Sequence, residues 1–160
     1  FRFSDKDRFF SFMTRIRFTL LTIFSLVIFT SCSDKNDVNN ILITSDDYMK
    51  FDTRKITVKS GKIVKLTLKH IGQLDAQVMG HNFVLLKKKV NLIEFANKAA
   101  TARDNQYIPV GSDEVIVYTD MIGGGQETTI EFLPPEPGVY DFVCSFPGHY
   151  AMMKGKFIVE

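Results

Sequence analysis

From Ile41 onward, apolar residues recur largely with period two, often with Lys or Thr between them, as in Ile41 and Ile43, then Ile56 and Val58, then Ile63, Leu66 and Leu68. A strand turns successive side chains to opposite faces, so this period predicts half-buried β-strands. Asn82 to Leu86 reads as a further strand, and Val115 to Tyr118, Thr128 to Phe132, Gly138 to Cys144 and Lys154 to Val159 resume the pattern. The breaks fall at turn-forming clusters, Gly123-Gly124-Gly125 and Pro134 to Gly138. One stretch follows a different period: Asn91 to Arg103 is Ala-rich, with Leu92, Phe95 and Ala99 at helical spacing. About eight short strands with a single helical insertion predict an all-β sandwich or barrel. The chain carries no internal repeat and no glycine-rich phosphate loop at a strand-to-helix turn.

The opening of the chain is patterned differently. From Met13, Arg15 and Arg17 form a basic start, Phe18 to Phe29 an apolar run, and Ser31-Cys32 a small-residue end. That order is the pattern of a secretory signal. The run is too short for an ordinary membrane-spanning helix, and polar SDKNDVNN follows without a basic stop-transfer cluster. A cysteine directly after a small residue resembles the bacterial lipoprotein box, which implies lipidation of Cys32 as the first mature residue and attachment to a membrane through that lipid. Phe29 departs from the box, which carries an aliphatic residue there. Residues 1–12 precede the expected start at Met13 and lie outside the expected fold. The expected division is therefore residues 1–31 as upstream extension and signal, 32–40 as a polar tether, and 41–160 as one folded domain.

Charge and composition narrow the function. The whole chain has a formal charge of +2, but from Cys32 onward 15 Lys and Arg face 16 Asp and Glu. No basic stripe remains to bind nucleic acid. A length of 160 residues suits one well-cored domain and not two domains with a catalytic cleft between them. The chain has two cysteines, and acylation of Cys32 would leave Cys144 a lone thiol in an exported protein. Such thiols are oxidised unless buried or metal-bound.

Cys144 opens the segment Cys-Ser-Phe-Pro-Gly-His-Tyr-Ala-Met-Met, which puts a thiolate, the imidazole of His149 and the thioether of Met153 on one loop between two strands. Taken singly, each has an ordinary explanation: a small buried hydrophobe, a loop histidine, a core filler. Their joint occurrence on one strand-connecting loop does not. Thiolate and thioether are soft ligands and imidazole is intermediate, a set suited to copper in both oxidation states. A fourth ligand has to come from elsewhere. The other histidines are His81, heading a strand in Met79-Gly80-His81-Asn82, and His70, closing an earlier strand after Lys69. A trigonal His2Cys set with a distant Met is the blue-copper arrangement.

Gly80 to Leu85 (GHNFVL) and Cys144 to Gly155 (CSFPGHYAMMKG) resemble the ligand segments of azurins. Four residues separate Cys144 from His149 and three separate His149 from Met153, as in azurins; plastocyanins have a shorter Cys-to-His gap. Asp47 to Val58, His70 to Asn82 and Val115 to Glu127 are similar too, in order and spacing, so the resemblance covers most of residues 41–160. It implies the cupredoxin Greek-key β-sandwich, with residues 91–103 as the helical flap, and one blue-copper ion. It further implies equatorial ligation by His81, Cys144 and His149, a long axial contact from Met153, the Gly80 carbonyl opposite it, and Asn82 and the Phe146 amide supporting the ligands. Met49, Leu74, Val78, Met79, Phe146, Pro147, Gly148, Ala151 and Met152 would form an apolar docking collar around His149.

The resemblance also shows what this chain lacks. Gly61 stands where azurins carry half of a structural disulfide, Phe83 replaces a buried Trp, and His70 matches a non-ligand histidine associated with pH-dependent behaviour. The implied role is a periplasmic one-electron carrier between redox proteins such as c-type cytochromes, nitrite reductase or a peroxidase, with no small-molecule substrate. An enzyme of the copper oxidase or nitrite reductase kind needs further histidines for another copper centre, and only His70 is left. The competing reading is a copper-buffering lipoprotein with the same ligands and no electron-transfer role.

Overall fold

Period-two patterning resolves into two sheets in the computed structural model, which describes residues 38–160. The expected signal segment, Cys32 and most of the tether lie outside the described residues. The strands are β1 (Asn40–Asp46), β2 (Lys50–Phe51), β3 (Lys55–Val58), β4 (Val64–His70), β5 (Val84–Leu86), β6 (Val115–Tyr118), β7 (Glu127–Phe132), β8 (Gly138–Val143) and β9 (Lys154–Val159). One sheet has the order β2-β1-β4-β7 and the other β3-β9-β8-β5-β6. Pairing is antiparallel except for β1 with β4 and β3 with β9. These parallel pairs join strands distant in sequence or separated by a crossover, and with them the two sheets form an all-β sandwich.

In β4 the alternation is complete: Val64, Leu66, Leu68 and His70 are buried, while Lys65 and Lys69 are exposed. Ile63 was expected among the inward residues and is instead 62% exposed. It precedes the strand and has the wrong parity, so Val64 takes the core position. The core between the sheets is rich in aromatic rings. Phe142 lies 5.9 Å from Phe51 and 5.2 Å from Phe83, in the range where tilted or offset rings attract. Phe83 is fully buried.

All three residues of β5 are buried, because its outer face is covered as well. The covering element is helix α2 (Leu92–Ala100) if the shorter helix Ala76–Met79 is taken as α1. Phe95, Ala99 and Ile108 pack there against Val84, Leu86 and Val143. Asn91 caps the helix by accepting from the Ile93 and Glu94 N–H groups, which fixes its start. The helix ends at Ala100, and a separate 3₁₀ turn at Arg103–Asn105 completes the span that the sequence predicts as one helix. Neither α1 nor β2 was anticipated, since four and two residues are too few to display a period. At the far end of β8, Tyr140 donates its hydroxyl to the Glu136 carbonyl at 2.6 Å, anchoring the proline-rich corner.

Candidate metal centre

The loop leaving β8 is folded by its own backbone. The Cys144 N–H donates to the Met153 carbonyl at 2.9 Å, and the Met153 N–H donates back to the His149 carbonyl at 2.8 Å. Gly148, at φ 83°, reverses the chain in the left-handed region, where a side chain would be strained. A 3₁₀ turn, His149–Ala151, follows at once. The three loop residues singled out from sequence are thus tied together, and Cys144, His149 and Met153 are all buried.

His81 arrives from a different part of the chain. Paired reciprocally with Ile122 through backbone hydrogen bonds of 2.9 Å, it heads the segment leading into β5. Its Nδ1 lies 4.0 Å from Cys144 Sγ, the His149 Nδ1 lies 3.7 Å from the same sulfur, and the Gly80 carbonyl oxygen lies 3.8 Å away. One atom from each of His81, Cys144 and His149 falls within 4.8 Å of the others. His81 Nε2 is 2.8 Å from the Asp46 carbonyl, so it donates there and leaves the Nδ1 lone pair facing the sulfur. Gly80 has no room for a side chain: a Cβ would press on the Ala76 carbonyl and come within 2.9 Å of Met121 Sδ.

Electrostatics of the cluster match its donor set. Burial pushes the Cys144 thiol up to about 11, partly offset by the backbone N–H groups of Asn82 and Phe146 directed at the sulfur. Burial likewise pushes His149 down to about 4, helped by His81 and His70. His81 is also lowered, chiefly by burial, against the opposing pull of the Asp46 carbonyl. Both imidazoles are therefore neutral near pH 7 with open lone pairs, and the thiol needs a cation before it ionises. A soft metal ion fits this set; a hard, oxygen-seeking ion does not. In the metal-free protein the two histidines oppose protonation that the unfolded chain accepts. Stability should fall as pH drops below about 6.5, the ordinary imidazole value, toward the His149 value of about 4.

Asn82 joins the two ligand segments. Its Nδ2 donates to Ser145 Oγ at 2.8 Å, and its Oδ1 accepts from the Ser145 N–H at 2.9 Å. Both residues are buried. Asn82→Ala would strand the Ser145 donors away from water, and urea denaturation should show a loss of about 2 kcal/mol or more.

Three participants escaped the sequence reading. Ser145 is the partner through which Asn82 acts, and a lone serine in a loop gives no signal of that. The Asp46 carbonyl is a backbone atom, invisible to side-chain reasoning. His70, which the resemblance marks only as a non-ligand histidine, stacks its ring on His81 with centroids 4.4 Å apart. It accepts from the Gly72 N–H through Nδ1 and lies 3.1 Å from the Met79 carbonyl through Nε2, so both nitrogens are occupied. The alternation of β4 carries the only hint, since it places His70 on the inward face. Of the expected collar, Met49, Leu74, Val78, Pro147, Gly148, Ala151 and Met152 are exposed, and Met79 and Phe146 are half-buried, with Phe146 packed against the core.

Two sheets, a buried His-Cys-His cluster and a Met on the same loop define a cupredoxin. Residues 38–160 match the family model described as copper binding proteins, plastocyanin/azurin family, and the chain belongs to that family. Copper is accordingly its metal. Several of its relatives within the family are azurins. It is 40% identical over 117 residues to the azurin of Bordetella pertussis, covering 71% of this chain and 78% of that protein. The azurin of Alcaligenes faecalis is 37% identical over 120 residues, covering 72% and 94%. Among solved structures, an azurin from Methylomonas sp. strain J matches with a TM-score of 0.69 and 33% identity over 76% of this chain and 97% of that one. A reduced auracyanin from Roseiflexus castenholzii gives the same TM-score of 0.69 at 30% identity, covering 76% and 97%.

Proposed function

We propose that the protein is a blue-copper electron carrier in which His81, Cys144 and His149 would hold the ion, with Met153 and the Gly80 carbonyl as the further, weaker donors. The observation that carries this reading is the convergence of two imidazole nitrogens and one thiol sulfur in a buried cluster. Bound copper supplies a one-electron Cu(I)/Cu(II) couple. The chain supplies rigidity: Asp46 fixes the His81 ring, backbone bonds fix the Cys144–Met153 loop, and Asn82 with Ser145 locks the loop to the His81 segment. Ligands so held keep one geometry through both oxidation states, which favours rapid electron exchange. A copper store works better with accessible ligands, and these are buried.

Met49, Leu74, Val78, Met79, Phe146, Pro147, Gly148, Ala151 and Met152 form the docking collar in this reading, and partners are redox proteins such as c-type cytochromes, nitrite reductase or a peroxidase. A small apolar patch suits brief encounters. The protein works in the periplasm, tethered by lipid on Cys32. Adding Cu(II) should produce an intense blue thiolate-to-copper band and reversible voltammetry. A colourless complex would refute the site, and a blue but electrochemically sluggish one would favour the buffer. Cys32→Ser should release the protein from membranes; continued retention would remove the anchor from the proposal.

A further inference from the structure

The turn that closes the helical insertion is held in an uncommon shape. After the 3₁₀ turn at Arg103–Asn105, Gln106 and Tyr107 both adopt left-handed backbone angles, with φ 54° and 60°. Neither is glycine, and consecutive residues with side chains stay in that region only when their surroundings hold them there. Here the restraints are specific. The Tyr107 N–H donates to the Ala102 carbonyl at 2.9 Å. The Gln106 side chain accepts from the Met121 N–H at 2.7 Å and donates to Asp120 Oδ1 at 3.3 Å. Met121 adjoins Ile122, the backbone partner of His81, so this latch fastens the insertion to the segment that positions a ligand.

The latched turn delivers the Tyr107 ring edge-on to Phe146, with centroids 5.2 Å apart and planes at 62°. Phe146 in turn lies 4.5 Å from the His149 ring. Its ring also reaches Gly80, where a Cβ would stand 3.0 Å from Phe146 Cδ2. A phenyl ring makes no hydrogen bonds of the ordinary kind, so only contacts fix its orientation, and edge-to-face contact is the geometry that aromatic quadrupoles favour. Tyr107 itself touches neither imidazole nor sulfur in any ring contact or hydrogen bond found among the described residues.

We propose that Tyr107 is a positioning residue for the copper site: held by the Gln106 latch, it fixes the Phe146 ring against His149 and so sets the orientation of that imidazole. The assignment rests on the blue-copper reading above. It gives the helical insertion a task beyond covering β5, since the insertion's last turn becomes a support for the ligand loop.

The test compares Tyr107→Leu, which removes the ring, with Tyr107→Phe, which keeps it, in the full chain. In the metal-free protein, the His149 ring protons sense the Phe146 ring current and report its orientation. In the copper-loaded protein, the thiolate-to-copper band and the reduction potential report the ligand field. Tyr107→Leu should move all three signals, and Tyr107→Phe should keep them at wild-type values. If Tyr107→Leu lowers only the melting temperature and leaves the signals in place, Tyr107 is merely structural and the proposal fails. Should that variant not fold, Gln106→Gly removes the latch while accepting the left-handed backbone, and it should shift the same signals; wild-type signals from it would overturn the assignment. If the wild-type chain takes up no copper, the blue-copper reading fails, and the metal-free His149 shifts still decide whether Tyr107 orients Phe146.

Discussion

Cys144→Ser should give a folded protein that stays colourless with Cu(II) and binds the ion more than about a hundredfold less tightly, beyond the loss typical of removing an outer partner. The Cys144 side chain is fully buried, and a hydroxyl is smaller than a thiol, so the fold should accept the change at a cost of about 1–3 kcal/mol for the buried polar group. The backbone bond from residue 144 to the Met153 carbonyl does not depend on the side chain. What disappears is the soft, ionisable donor, because a serine hydroxyl does not become an alkoxide near neutral pH and offers no thiolate charge-transfer band. Visible spectroscopy and competition with a chelator measure both effects. A blue complex in this variant would place the sulfur outside the metal's coordination shell and end the blue-copper reading.

The parts of this site legible in sequence are those whose function fixes residue type and spacing. Cys144, His149 and Met153 announce themselves because soft donors crowd one strand-connecting loop, and a hairpin end brings neighbours in sequence together in space. His81 needed more than spacing. Nothing local connects it to residue 144, and choosing it over His70 rested on resemblance. The structure shows why His70 was a plausible rival: it is buried on the inward side of β4 and stacks directly on His81. Both its nitrogens already have partners, whereas His81 spends only Nε2 and keeps Nδ1 for the site. That distinction concerns lone pairs, which sequence patterns do not encode.

Much the same limit explains the differences in the fold. Long alternating runs such as Lys65 to Lys69 are readable because several consecutive residues agree on one period. Ile63 misleads because an apolar residue one position before a strand looks like part of it, although its parity is opposite to that of Leu66 and Leu68. β5 reads as a continuous apolar run because both of its faces are buried, one by the core and one by α2. The left-handed backbone at Gln106 and Tyr107 has no sequence mark at all, since glycine or asparagine would normally announce such a turn. It is supported from a distance by Met121 and Asp120.

Copper affinity should rise about tenfold per pH unit between about pH 6.5, the ordinary imidazole value, and pH 8. The slope follows from the protonation states of the ligands. With the Cys144 thiol near 11 and His149 near 4, the free site throughout this range carries a protonated sulfur and a neutral His149. His81, lowered from the ordinary imidazole value by burial, is neutral in the same range. Each copper bound as a thiolate complex therefore displaces one proton, and by linkage one proton released means one decade of affinity per unit of pH. Below about pH 4, protonation of His149 should add a second proton and steepen the slope. Chelator competition at several pH values, or proton release measured in weakly buffered solution, gives the stoichiometry directly. Cys144→Ser supplies the control, since loss of the thiol should flatten the profile above about pH 6.5, where ordinary imidazoles are already neutral. A flat profile in the wild-type protein would mean either that the sulfur is not a ligand or that it is already ionised before the metal arrives. Proton release on loading separates these, because only a thiol that ionises on binding gives up its proton at that step.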